Sequence, residues 1–220
     1  MLKVHVTRSP DDVKPLIALE ELGLPYELAF HESLPGAGAQ AATRPSMTDD
    51  ADARFAIFSP AAALLHLAEQ GPGLVAPDRR AAALQWLGWE AAALGPLNDH
   101  RCQHHPRLRA VIGREAARGA FELLDRHLAK RAFLTGTFGL ADIGVWPWAF
   151  ALRSAGVPSG DLRSFEAWLG AVHARPAVRR AQAAQRRGGC HAHAAAYDAA
   201  PSVARGCGEP ACASPSHAAE

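Results

Sequence analysis

Two hydrophobic periodicities share the chain, and one gives way to the other near residue 77. Up to that point short apolar or alternating runs, KVHVT at 3–7, YELAF at 26–30 and FAIF at 55–58, are separated by stretches of helical spacing. Such alternation of strand and helix patterns predicts an α/β unit. Beyond it only helical periodicity is found. APDRR at 76–80 reads as a linker, with Asp78 expected to cap a long helix whose stripe is Leu84, Leu87, Ala91 and Leu94. Further helices are expected over 107–131, 140–154 and 162–174, and RPAVRRAQAAQRR at 175–187 as a last one. The fold class is therefore α/β followed by all-α, with one domain over 1–75 and a helical domain over 78–187.

From Gly188 onward the pattern stops. Eleven of the 33 remaining residues are Ala and only Tyr197 and Val203 have bulk. So little apolar surface cannot offset chain entropy, and a disordered tail is expected over 188–220. The Cys and His residues of this tail have no spacing of paired short knuckles, and HRCQHH at 100–105 puts His100 and His104 a helical turn apart without a Glu between them. No metal is expected. The start, MLKVHVTRSPDD, lacks an apolar leader, and no run reaches the ~18 apolar residues that cross a bilayer. Lys plus Arg number 23 against 22 for Asp plus Glu, so no basic face for nucleic acid is advertised. The four cysteines, Cys102, Cys190, Cys207 and Cys212, form no disulfide framework, and a soluble protein of the reducing cytoplasm, without a membrane or nucleic-acid partner, is expected.

Three local patterns point to chemistry or architecture. FAIF runs through Ser59-Pro60 into a helix, and serine before proline is a good helix start, read either as a plain cap or as an anion site formed by its outward amides. Pro15 is tolerated only in a first turn, so the first helix is expected to begin near Asp11 or Asp12, leaving Ser9-Pro10 in the loop. In GLADIGV, Asp142 stands three residues after Gly139, where it closes a capping box and acts as a folding residue.

SPDDVKPLIALEELGLPYEL, IFSPAAALLHLAE, LQWLGWEAAALGP, FLTGTFGLADIGVWPW and FEAWLGAVHARPAVRRA follow one another in the order of a known family. From residue 2 to about 186 the chain resembles a bacterial glutathione S-transferase. The resemblance implies a thioredoxin-like first domain and a helical-bundle second domain. It implies glutathione as co-substrate, a small apolar electrophile as the other substrate, and a homodimer. It places a cis-proline at Pro45, with Ser46 beside it, where the backbone pairs with the cysteinyl part of the tripeptide. Ser9 is the first candidate for the hydroxyl that holds the thiolate, and Thr7 is the substitute.

Asp11 takes the place of an asparagine that donates to sulfur. A carboxylate there only accepts when ionised, or it serves as a helix start. The family's Glu-Ser pair for the γ-glutamyl end aligns with Ser59 and Pro60, or, with a one-residue slip, Ser59 takes the serine's role and Phe58 the glutamate's. Trp86 and Trp89 face either the electrophile cleft or neighbouring helices. Two functions follow: a glutathione-dependent transferase or reductase, and a catalytically degraded, dimeric interaction module.

Overall fold

The computed structural model describes residues 1–7, 9–31, 45–94 and 106–198. Strands β1 (Leu2–Val6), β2 (Tyr26–Phe30), β3 (Met47–Asp49) and β4 (Asp52–Ile57) form one sheet in the order β2-β1-β3-β4. The pair β1/β2 is parallel, while β1/β3 and β3/β4 are antiparallel. Parallel neighbours need a crossover, and helix α1 (Val13–Leu22) supplies it. It stops at Gly23, whose φ of 66° is the left-handed conformation that glycine adopts without strain. Helix α2 (Pro60–Gln70) packs beside α1. Together they cover the face of the sheet that carries Val4, Val6 and Met47. Leu16, Ile17, Leu19, Leu64 and Leu67 are fully buried there, each contributing about 2 kcal/mol.

The second unit is helical: α3 (Arg80–Ala93), α4 (Pro106–Leu128), α5 (Leu140–Ser154), α6 (Arg163–Ala174) and α7 (Pro176–Asp198). The start of α3 corrects two expectations. Asp78 lies in a 3-10 turn, Pro77–Arg79, and its carboxylate accepts from Arg79 at 3.3 Å, with no side-chain cap bond to the helix. The buried face of α3 is Ala83, Trp86, Leu87 and Glu90, whereas Leu84 and Ala91 are exposed. Trp86 brings the greatest apolar area and so sets the rotation of the helix.

The Asp142 capping box is present. Oδ2 accepts from the Gly139 N–H at 3.1 Å, and Oδ1 from the Leu134 N–H at 3.0 Å and the Trp168 Nε1–H at 2.7 Å. Gly139 is required here by packing. A Cβ would collide with the Leu74 carbonyl, which accepts from the Leu140 N–H at 2.7 Å and so ties the end of the first unit to α5.

Helix α7 continues to Asp198, past the boundary expected at residue 187, in keeping with the high helix propensity of its alanines. Residues 199–220 of the expected tail lie outside the described ones. Along its first half α7 is fastened to the first unit. Ala177, Val178, Ala181 and Ala184 form its buried face. Arg175, just before it, makes a bidentate pair with Glu21 at 2.7 and 2.8 Å, and Arg180 reaches Glu20 at 2.6 Å. No described helix is long and apolar enough to cross a membrane.

Candidate functional site

The loop between β1 and α1 carries the three candidate catalytic residues, and hydrogen bonds sort their roles. Ser9 caps the 3-10 turn Pro10–Asp12, its Oγ accepting from the Asp11 N–H at 3.2 Å. Thr7 is held differently. Its N–H donates to Asp12 Oδ2 at 2.6 Å, its hydroxyl donates to the same oxygen, and its Oγ1 accepts from the Ser9 N–H at 3.1 Å. A hydroxyl has one hydrogen to give. That of Thr7 is committed to Asp12, whereas Ser9 uses only its acceptor side in these bonds.

Asp11 faces the helical unit. Its Oδ1 accepts from the Trp148 Nε1–H at 2.9 Å and lies 2.5 Å from Lys14 Nζ. Lys14 in turn donates to Glu90 Oε2 at 2.9 Å, and both of these side chains are almost wholly buried, 3% and 5% exposed. Burial pushes the Glu90 carboxyl above its ordinary range, with Lys14 opposing the shift and Asp11 reinforcing it. The Asp11 carboxylate thus lies 2.5 Å from a buried ammonium that it shares with Glu90.

From α7, Gln185 Nε2 donates to the Thr7 carbonyl at 3.2 Å and to the Ser9 carbonyl at 2.8 Å. Lys14, three residues after Asp11, stands where the chain alone sets a cation beside that carboxylate, whereas three residues of this neighbourhood, Glu90, Trp148 and Gln185, escape sequence reasoning. Only Glu90 leaves a trace, as a charge on the stripe of Ala83, Leu87 and Leu94, since a buried charge calls for a partner.

Ser46 places its backbone in the sheet, donating to Ile57 O at 2.6 Å and accepting from the His5 N–H at 3.0 Å. Its Oγ is buried without a hydrogen-bond partner among the described residues. The Arg44–Pro45 peptide bond, on which the cis-proline expectation rests, involves a residue outside the described ones. Ser59 is the N-cap of α2, accepting from the Ala62 N–H at 3.4 Å, and Pro60 occupies the first helical position. The junction is therefore a capped helix start with the Ala61 and Ala62 amides at its mouth.

Trp86 packs into the helical core, edge-on to Trp89 at 5.2 Å and to His127 at 4.7 Å. Trp89 keeps part of its surface accessible. Among the described residues no group of three or more His, Cys, Asp or Glu is placed to hold a metal ion. His100, Cys102 and His104 lie outside the described residues, as do Cys207, Cys212 and His217.

Comparison with known proteins bears on this arrangement. Residues 62–180, more than half of the chain, match the family model described as glutathione S-transferase, C-terminal domain. Over 201 residues, 81% of this chain and 93% of the relative, the sequence is 26% identical to the disulfide-bond oxidoreductase YfcG of Escherichia coli strain K12. It is 29% identical to the glutathione S-transferase GstB of the same strain, over 76% of this chain and 90% of that protein. A solved glutathione transferase family member from Pseudomonas fluorescens pf-5, with two glutathione bound, is 26% identical with a TM-score of 0.67. That likeness covers 82% of this chain and 91% of the other.

Proposed function

The chain belongs to the glutathione S-transferase family, and we propose on that basis that Ser9 donates its hydroxyl hydrogen to the thiolate of bound glutathione, the nucleophile of a transfer or reduction. One observation carries the choice of Ser9: its Oγ accepts from Asp11 while the Thr7 hydroxyl is held by Asp12. A hydrogen bond to the thiolate lowers the thiol's pKa and raises the reactive fraction at neutral pH.

In the transfer reaction the sulfur forms a bond to an electrophilic carbon, whose leaving group departs with its electron pair. In the reduction it forms a bond to one sulfur of a disulfide and releases the other as a thiolate. A second glutathione then attacks the mixed disulfide, giving glutathione disulfide and the second reduced thiol. The first 101 residues contain no cysteine, so glutathione itself supplies the thiols in both cases. Trp89 is the residue proposed to meet an apolar electrophile, and the working form is a cytoplasmic homodimer.

Ser9→Ala is expected to lower turnover about thirtyfold at pH 7 and to raise the pKa of the bound thiol by about 1.5 units. Both follow from a hydrogen bond to a charged group, worth roughly 2 kcal/mol. Thiolate absorbance in a pH titration reads the second effect; an unchanged pKa in the variant removes Ser9 from the reaction.

The second reading, an interaction module without a ligand, is favoured by Pro60, which brings no N–H to the mouth of α2. Calorimetry with glutathione separates the two. Replacing Ser59-Pro60 by Glu-Ser adds a carboxylate, a hydroxyl and an amide donor there, and is expected to tighten glutathione binding about tenfold. Unchanged affinity would show that the γ-glutamyl end binds elsewhere.

A further inference from the structure

We propose that Gln185, on the last helix, is a positioning residue that holds the Thr7 and Ser9 carbonyls so that the Ser9 hydroxyl points at the thiolate. The inference rests on the assignment of Ser9 made above and extends it to a helix remote in sequence. Its two bonds, 2.8 Å to the Ser9 carbonyl and 3.2 Å to the Thr7 carbonyl, converge on one nitrogen. Carbonyl oxygens only accept, so the amide must present its NH2 to the loop, and both of its hydrogens are used. Its near-isosteres do not do this: a carboxylate repels both oxygens, and a thioether donates nothing.

The clamp has its own support. Arg175–Glu21 and Arg180–Glu20 fasten α7 along α1, and the buried Ala181 and Ala184 bring the helix close enough for a Gln side chain to reach the loop. On the opposite side the loop is held by Asp12, which fixes Thr7, and by Trp148 through Asp11. Among the described residues of α7, Gln185 is the one whose side chain hydrogen-bonds to the backbone that carries Ser9. It meets no reacting atom, so its effect must pass through the hydroxyl's orientation.

The experiment compares Gln185→Glu and Gln185→Met with the unsubstituted full chain, using glutathione as the probe. Four quantities are read: amide hydrogen exchange of Ser9, Asp11 and Asp12 without glutathione, the pKa of the bound thiol, kcat at pH 7, and the KM for glutathione. The proposal expects faster exchange at these amides in both variants. It also expects the bound thiol's pKa to rise by about one unit, with kcat at pH 7 falling about tenfold and the KM for glutathione moving less.

The glutamate variant should exceed the methionine variant in each, because it adds repulsion to the lost donors. Faster exchange with an unchanged thiol pKa would overturn the proposal, since the clamp would then serve only the fold. Unchanged exchange would overturn it as well. Failure of the unsubstituted protein to bind glutathione would overturn the assignment of Ser9 itself, and is seen before any variant is made.

Discussion

Lys14→Met should lower stability by about 4 kcal/mol at pH 7, a drop in Tm of roughly 10 °C, because it leaves Glu90 buried without its cation. Lys14 and Glu90 meet at 2.9 Å where α1 abuts α3, both nearly sealed from solvent. Desolvation already raises the Glu90 carboxyl above its ordinary value, and Lys14 is the largest influence holding it down. The sign of the pH dependence follows. A carboxyl raised in the folded state contributes stability that is fully present below its unfolded value and is lost as pH rises through the folded one. Without Lys14 the folded value moves higher, so the variant's deficit relative to the parent should grow from pH 4.5 to pH 7.

A second variant guards against a trivial outcome. Adding Glu90→Leu removes the stranded charge and should restore most of the loss, since an apolar pair of similar volume replaces a buried ion pair at little cost. Thermal unfolding followed by circular dichroism reads both. A single variant as stable as the parent, or a double variant no better than the single, would refute the account. Trp148 still donates to Asp11 in either variant, so the loop keeps one of its ties to the helical unit.

Asp142→Ala is expected to remove about 3 kcal/mol at pH 7 and to show the opposite pH trend. One carboxylate accepts from Leu134, Gly139 and Trp168, and alanine leaves those three buried donors unanswered. Burial pushes the Asp142 carboxyl up to about 6 from an ordinary 3.8, against the pull of these donors. Its contribution is therefore fully present below about 3.8 and declines as pH rises through about 6. Since the alanine variant has no such group, the gap between parent and variant should widen as pH falls from 7 towards 5. Differences taken pairwise at each pH cancel the titration of all other groups. A gap that narrows in mild acid would mean that the three donors dominate burial, and that Asp142 is ionised in the folded protein throughout this range.

The two networks differ in how visible they are along the chain. Asp142 and Gly139 are three residues apart, and a helix start brings N-cap and third position together whatever surrounds them, so the capping box is legible. Its further bond to Trp168 is not, because that contact depends on how α6 lies on α5. Strands at Tyr26–Phe30 and helices at Leu140–Ser154 are likewise read from period alone, since side-chain direction along a strand or helix is set by local geometry. The rotation of α3 is not: spacing put Leu84 and Ala91 on the stripe, and packing against α5 and α4, with the Lys14–Glu90 pair, buries Ala83 and Glu90 instead.

In the site the division is the same. The sequence alone places Ser9 in a loop before the first helix and Ser59 at a helix start, because Pro10, Pro15 and Pro60 limit where a helix can begin. It also places a carboxylate at Asp11. Which hydroxyl keeps a hydrogen to donate, and which way Asp11 turns, are questions of partners, and those partners are Asp12, Lys14 and Trp148. The last of them is 137 residues away in the chain, as Gln185 is 176 away from Ser9. A hydrogen bond acts over about 3 Å and carries no mark in the residues between its ends, so only the packing of the last helices onto the first domain settles it.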